Sequence, residues 1–249
     1  MRALKAKSML GELLDIVGMR EVANRLYWRL SPLWKKEEQL VRPGEFRPVL
    51  DRHIAMLLGD RSPAEFGDYL EFGVYNGMSM SVAYAALQAV GLTGTRLIGF
   101  DSFEGMPKGE QQDEAGVFTG GQLYFDEAGA KANMRRHGVD LAQVTLVKGW
   151  FDDTLNDATV ARLGLKRTSL VMIDCVIYPS TAAVLRFIEP LIGDSAVLVF
   201  DDWARRDSHL KNQGQKRAFD EFLAVHPEFT TMDLGEFPPH AKQFELRRK

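Results

Sequence analysis

Thiols are almost missing from this chain of 249 residues: Cys175 is its single cysteine, which excludes an intramolecular disulfide and a thiolate-based zinc cluster. Charge of either sign is not in excess. A formal net charge of −3 gives no overall pull toward nucleic acid, and none is expected as a partner, although a local basic patch is compatible with it. Long apolar runs are missing too. The start, MRALKAKSMLGELL, is positively charged but has no sustained apolar stretch and no small-residue cleavage signal, so neither a signal peptide nor a transmembrane segment is expected. Internal repeats and low-complexity segments are absent. A cytoplasmic protein is the simplest expectation. Its apolar fraction of 45% supports one sizeable domain with an appendage rather than two equal domains.

What is present is a regular alternation. Apolar runs at 69–74, 96–100, 144–148, 170–173 and 196–200 are separated by helical patterns at 79–90, 126–137 and 179–191. Strands alternating with helices of this length predict an α/β fold, with a parallel sheet covered on both faces. Another helix is expected at 214–224, then two antiparallel edge strands, 229–234 and 241–246, around a turn holding Pro238 and Pro239. Upstream, residues 45–67 contain a short helical stretch around VLDRHIAMLLG. Residues 8–31 carry two helical stripes, Leu10, Leu13, Leu14 and Val17, then Val22, Leu26 and Leu30, rotated from each other at Gly18. Residues 1–36 hold eight Lys or Arg against three Asp or Glu. Such a segment suits docking on its own domain, contact across a homo-oligomer, or peripheral membrane contact. The expected division is an N-terminal helical extension, 1–67, followed by an α/β domain, 68–249.

Two places at the strand ends carry chemistry. After the first strand, EFGVYNGMS puts Gly73 and Gly77 where a tight turn and close backbone approach to a ligand are needed, with helix N-terminal amides facing it. The spacing is E-x-G-x-x-x-G rather than G-x-G-x-x-G, which favours a nucleotide-like cofactor without a pyrophosphate at that turn. Asp101, 24 residues beyond Gly77 and at the end of the next strand, is placed to accept hydrogen bonds from both ribose hydroxyls; a helix N-cap is the bland alternative. Glu71 either orients the turn or meets the amino end of the cofactor. Ser79 and Ser102 complete the expected contacts, and Gly149, Trp150 and Phe151 after the third strand offer an aromatic for a base to stack on, or ordinary packing.

At the other place, Asp174 follows the fourth strand and Asp201–Asp202 follows the fifth. Parallel strands send these ends to one edge, so the acids meet despite the 27 residues between Asp174 and Asp201. Uncompensated, they would raise one another's pKa values. A divalent, oxygen-loving cation would settle them and polarise a substrate hydroxyl, and Mg²⁺ fits better than zinc because no Cys or His accompanies them at motif spacing. Helix capping, salt bridges to Lys or Arg, and direct base action remain open. Tyr178 and Ser180 sit where they can line a pocket, or in the case of Ser180 cap a helix. His209 and His240 are possible bases or substrate contacts, though a lone histidine is more often structural. Residues 104–129, glycine-rich and acidic, read as a substrate loop or an ordered connection.

With EFGVYNGMS, FDSFEGMP, KGWFDDTL, MIDCVIYPST, FDDW and GQKRAFDEF in this order, the chain resembles the macrocin O-methyltransferase family over roughly residues 68–224. That resemblance implies a Rossmann-like class I methyltransferase with a mostly parallel seven-stranded sheet. It implies S-adenosylmethionine as cofactor, held near Glu71, Gly73, Gly77, Asp101 and the segment after the third strand, with Asp174 adjoining it. It further implies magnesium at Asp174, Asp201 and Asp202, and a small hydroxylated acceptor such as a sugar. Family members usually read I-D-x-D-x-Y after the fourth strand; here Val176 stands where the second acid is expected. A non-catalytic cofactor-binding or assembly protein of the same fold is therefore a competing expectation. A nicotinamide oxidoreductase is a further one, disfavoured by the glycine spacing and by the lack of a Tyr-x-x-x-Lys or paired-histidine site.

Overall fold

The computed structural model of the chain describes residues 19–30, 42–59, 65–107 and 120–249. Strands β1 (Asp68–Phe72), β2 (Leu97–Asp101), β3 (Val144–Lys148), β4 (Thr168–Ile173) and β5 (Ile192–Phe200) pair in parallel, while β6 (Phe229–Phe237) and β7 (Ala241–Arg248) add an antiparallel hairpin. The sheet has seven strands in the order β3-β2-β1-β4-β5-β7-β6. β2 and β3 run outward in turn from β1 on one side and β5 from β4 on the other, so the chain reverses its winding between β1 and β4. The chain leaves β1 toward one face of the sheet and β4 toward the other, and it is at such a point that open α/β sheets bind ligands.

The strands read as unbroken apolar runs because both faces are covered. Period-2 alternation divides them between two cores. Tyr69, Leu97, Leu170, Met172, Val197 and Val199 face one side, where α2 (Pro43–Leu58) and α3 (Met78–Ala89) pack. Leu70, Phe72, Ile98, Phe100, Val171, Ile173, Leu198 and Phe200 face the other, against α7 (Tyr178–Ile188) and α8 (Gly214–Val225). The remaining helices are α1 (Arg20–Leu30), α4 (Glu127–Arg136), and the short α5 (Phe151–Thr154) and α6 (Asp157–Leu163), with a 3₁₀ segment at Arg205–Lys211. α2 falls in the segment assigned to the N-terminal extension, yet it buries Phe46, Val49, Leu50, His53, Ile54 and Leu57, its apolar members in the same core as β1 and β4.

The first expected helical stripe, Leu10 to Val17, and residues 108–119 of the expected substrate loop lie outside the described residues. The second stripe is described in part and faces outward: Val22 is 60% and Leu26 55% exposed. The helix is held instead through its polar side, where Asn24 donates to the Gly120 carbonyl and Arg25 to Glu104. Among the described residues, no helix is long and apolar enough to cross a membrane.

Candidate active site

Gly73 ends β1 with φ 96°. Its amide donates to the Phe100 carbonyl on β2 at 2.9 Å, and the Asp174 amide donates to the Phe72 carbonyl at 2.8 Å. β1 and β4 therefore stay in contact to their last residues, and a Cβ on Gly73 would overlap the Asp174 carbonyl oxygen. Gly77, with φ 75°, opens α3 and presses on Met134. Between the two glycines, Tyr75 is held at φ 49° and, after β2, Phe103 at φ 52°, a region that disfavours bulky side chains. One carboxylate holds both. Asp101 Oδ2 accepts from the Val74 and Tyr75 amides at 2.8 and 2.9 Å, and Oδ1 accepts from the Phe103 amide at 2.7 Å. A carboxylate offers about four acceptor sites, so three backbone donors leave room for one further hydroxyl. Three of the acceptor positions that the expected ribose contacts would use are thus taken by backbone amides.

The acidic end is assembled by the same extension of the ladder. The Asp201 amide donates to the Ile173 carbonyl at 3.1 Å, and Gln215 bridges the strand ends, donating to Ile173 O at 2.9 Å and accepting from the Asp202 amide at 3.0 Å. Asp202, its side chain 1% exposed, receives Arg205 at 2.7 Å on Oδ1 and the Val176 amide at 3.2 Å on Oδ2. Val176 itself lies at φ 55°, an outlier for a β-branched residue, so this aspartate pins a strained turn much as Asp101 does. Asp201 is buried and its Oδ1 has no hydrogen-bond partner. The Asp174 carboxyl is pushed well above the usual range by burial and then by Asp201, Asp202 and Glu71, with Arg205 opposing. Asp201 is raised likewise, by burial and Asp202.

One cavity of about 360 Å³ joins the two ends. Gly73, Tyr75, Asp101, Ser102, Gly149, Trp150 and Phe151 line one part of it, and Asp174, Val176, Asp201, Arg205 and His240 another. Met106, Pro107 and Leu123 supply apolar wall from the flanks of the substrate loop. Not every expected residue reaches this space. Glu71 and Ser79 are bonded to each other at 2.7 Å behind the turn, with Tyr69 donating to Glu71 at 2.5 Å, and neither lines the cavity. Tyr178, at the start of α7, donates to Glu221 under the Arg217 guanidinium and is not among the residues lining this cavity. His209 lies in the 3₁₀ segment and is likewise not among them. Sequence reasoning missed Arg205, three residues beyond Asp202 and so on its side of the turn, and Gln215.

Burial pushes the Glu71 carboxyl up to about 8; the Tyr69 and Ser79 bonds oppose this and Asp101 adds to it. A group raised in the folded state stabilises fully below its unfolded value, near 4.5, and that contribution is lost as pH rises toward 8. Glu71→Gln mimics the protonated form. The melting temperature of the variant is expected to fall less than that of the wild type between about pH 5 and pH 9; parallel melting curves across this window would show that Glu71 is not the buried acid described.

The family model described as macrocin O-methyltransferase (TylF) matches residues 60–229. A tetracenomycin-class rhamnosyl 4′-O-methyltransferase of Streptomyces olivaceus is 32% identical over 157 residues, 61% of this chain and 57% of the relative. The mycinamicin III 3″-O-methyltransferase of Micromonospora griseorubida is 28% identical over 145 residues, 55% of each chain. The chain thus spans little more than half the length of the curated relatives it matches. Among solved structures, the O-methyltransferase NovP superposes with a TM-score of 0.65 at 21% identity, covering 82% of this chain and 80% of that one. The calicheamicin methyltransferase CalS11 gives 0.62 at 18%, covering 91% and 92%. At these identities the likeness is one of fold.

Proposed function

The chain belongs to the macrocin O-methyltransferase family, and on that premise we propose that it transfers a methyl group from S-adenosylmethionine to a hydroxyl of a sugar, glycoside or related small metabolite. One observation carries the reading: a single cavity runs from the Gly73–Asp101 turn to Asp174 and Asp201. A cofactor-sized ligand on the first wall would present its reactive end to the acids on the second.

Among the described residues, Arg205 is the cation that opposes the charges of Asp174, Asp201 and Asp202, and Asp201 Oδ1 is buried without a partner. Asp201 and Asp202 offer oxygen donors close enough together to fit a divalent cation, the magnesium expected from the sequence included, with Asp174 beside them. When bound, the cofactor supplies an electrophilic methyl group, and the cation polarises the acceptor oxygen. The chain's own residues do the rest. The Asp101-pinned turn and Trp150 position the nucleoside end, Met106, Pro107, Leu123 and Phe151 keep water from the reacting atoms, and Asp174, which lines the cavity beside Asp201, is assigned to take the hydroxyl proton. Self-association belongs to the same reading, since α1 leaves Val22 and Leu26 exposed, with Met19 just before it.

A panel of sugar and glycoside acceptors incubated with labelled S-adenosylmethionine and a divalent cation is expected to give a methylated product for at least one class. Cofactor binding with no turnover on any hydroxylated acceptor would favour the non-catalytic alternative that Val176 raises.

A further inference from the structure

The magnesium expectation rests on the absence of histidine near the acids, and the sheet removes that absence. β5 and β7 are antiparallel neighbours with Phe200 opposite Lys242. Continuing that register by two residues sets Asp202 opposite His240, although 38 residues separate them in sequence. The turn is fastened there, because the Ala204 amide donates to the His240 carbonyl at 2.9 Å. One side-chain donor atom from each of Asp201, Asp202 and His240 lies within 4.8 Å of the others. Donors about 2.0–2.2 Å from a shared ion stand up to roughly 4.4 Å apart, so the three need only a small inward adjustment. Two independent features point to an ion here: the buried, unpartnered Asp201 Oδ1, and a cluster of three acids that, among the described residues, Arg205 opposes.

We propose that His240 is a nitrogen ligand in the cation site with Asp201 and Asp202, so that this chain prefers a divalent ion of the manganese-to-zinc series over magnesium. The inference rests on the methyltransferase reading for its place in the reaction. Magnesium favours oxygen and retained water, whereas imidazole adds affinity for the later first-row ions. A histidine arriving from the β6–β7 turn also ties ion binding to the position of that hairpin, which forms part of the cavity wall.

The test uses Mn²⁺ as probe, titrated into the full chain with S-adenosylhomocysteine present and read by pulsed electron paramagnetic resonance. The expected result is bound Mn²⁺ with imidazole-nitrogen hyperfine coupling. In His240→Ala that coupling disappears, Mn²⁺ affinity falls at least about tenfold, and the preference for Mn²⁺ over Mg²⁺ narrows. His240→Gln, which keeps the side-chain bulk in the turn, is expected to behave alike, with melting temperatures confirming that both variants fold. Mn²⁺ bound without nitrogen coupling, unchanged affinity in the variants, or no Mn²⁺ binding at all each overturns the proposal. Binding of S-adenosylhomocysteine in the same samples reports separately on the methyltransferase reading.

Discussion

Asp174→Asn is expected to lower methyl transfer about 10²–10⁴-fold, the range for losing a positioned proton acceptor, while the cofactor still binds. Its stability should move the other way. The Asp174 carboxyl is raised by burial and by its acidic neighbours, so in the folded state its charge is a liability that grows as pH climbs through the raised value. Asparagine removes that charge and keeps the shape. With chelator present to clear bound ions, the variant is expected to melt at or above the wild-type temperature near neutral pH. Activity and thermal stability lost together would mean that Asp174 holds the fold rather than the chemistry. The opposed directions separate a reacting group from a structural one, and they follow the trade-off in which an active site keeps a destabilising group for its function.

Gly73→Ala is the second large effect. The residue sits at φ 96°, where a side chain costs on the order of 1–3 kcal/mol, and its Cβ would overlap the Asp174 carbonyl. Relief requires the ends of β1 and β4 to part, which would break the Asp174 amide bond to Phe72 and misplace both the cofactor turn and the first acid. A melting temperature lower by roughly 5 °C or more is expected, with S-adenosylhomocysteine binding lost even in the protein that remains folded. Gly94→Ala serves as the control, because a Cβ there meets nothing within 4 Å. Near-normal cofactor binding in Gly73→Ala would remove the turn from the cofactor site.

Much of this was readable from the sequence for a physical reason. A parallel strand buried on both faces must be apolar throughout, so 170–173 and 196–200 announced β4 and β5, and the residues just past them had to share one edge. Gly73, Asp101, Asp174 and Asp201 were found that way. The direction of Tyr178 was not legible, because sequence position fixes where a helix begins but not which way its first side chain turns; Arg217 and Glu221, a helix away, hold it. His240 was weighed as an isolated histidine because its partner is set by antiparallel register between β5 and β7, which local pattern does not encode. Glu71 was read as either supporting or contacting, and its depth behind the turn, bonded to Tyr69 and Ser79, is a packing outcome. The outward-facing Val22 and Leu26 show the same limit, since a helical stripe states that a face is apolar and not what covers it.

The most direct measurement is a crystal structure of the full chain with S-adenosylhomocysteine. The expected result is the nucleoside between Asp101 and Trp150, a single ribose hydroxyl on Asp101, and the sulfur directed toward Asp174 and Asp201. A ligand bound outside this cavity, or one whose sulfur points away from the acids, would contradict the claim that the two strand-end clusters form one methyl-transfer site.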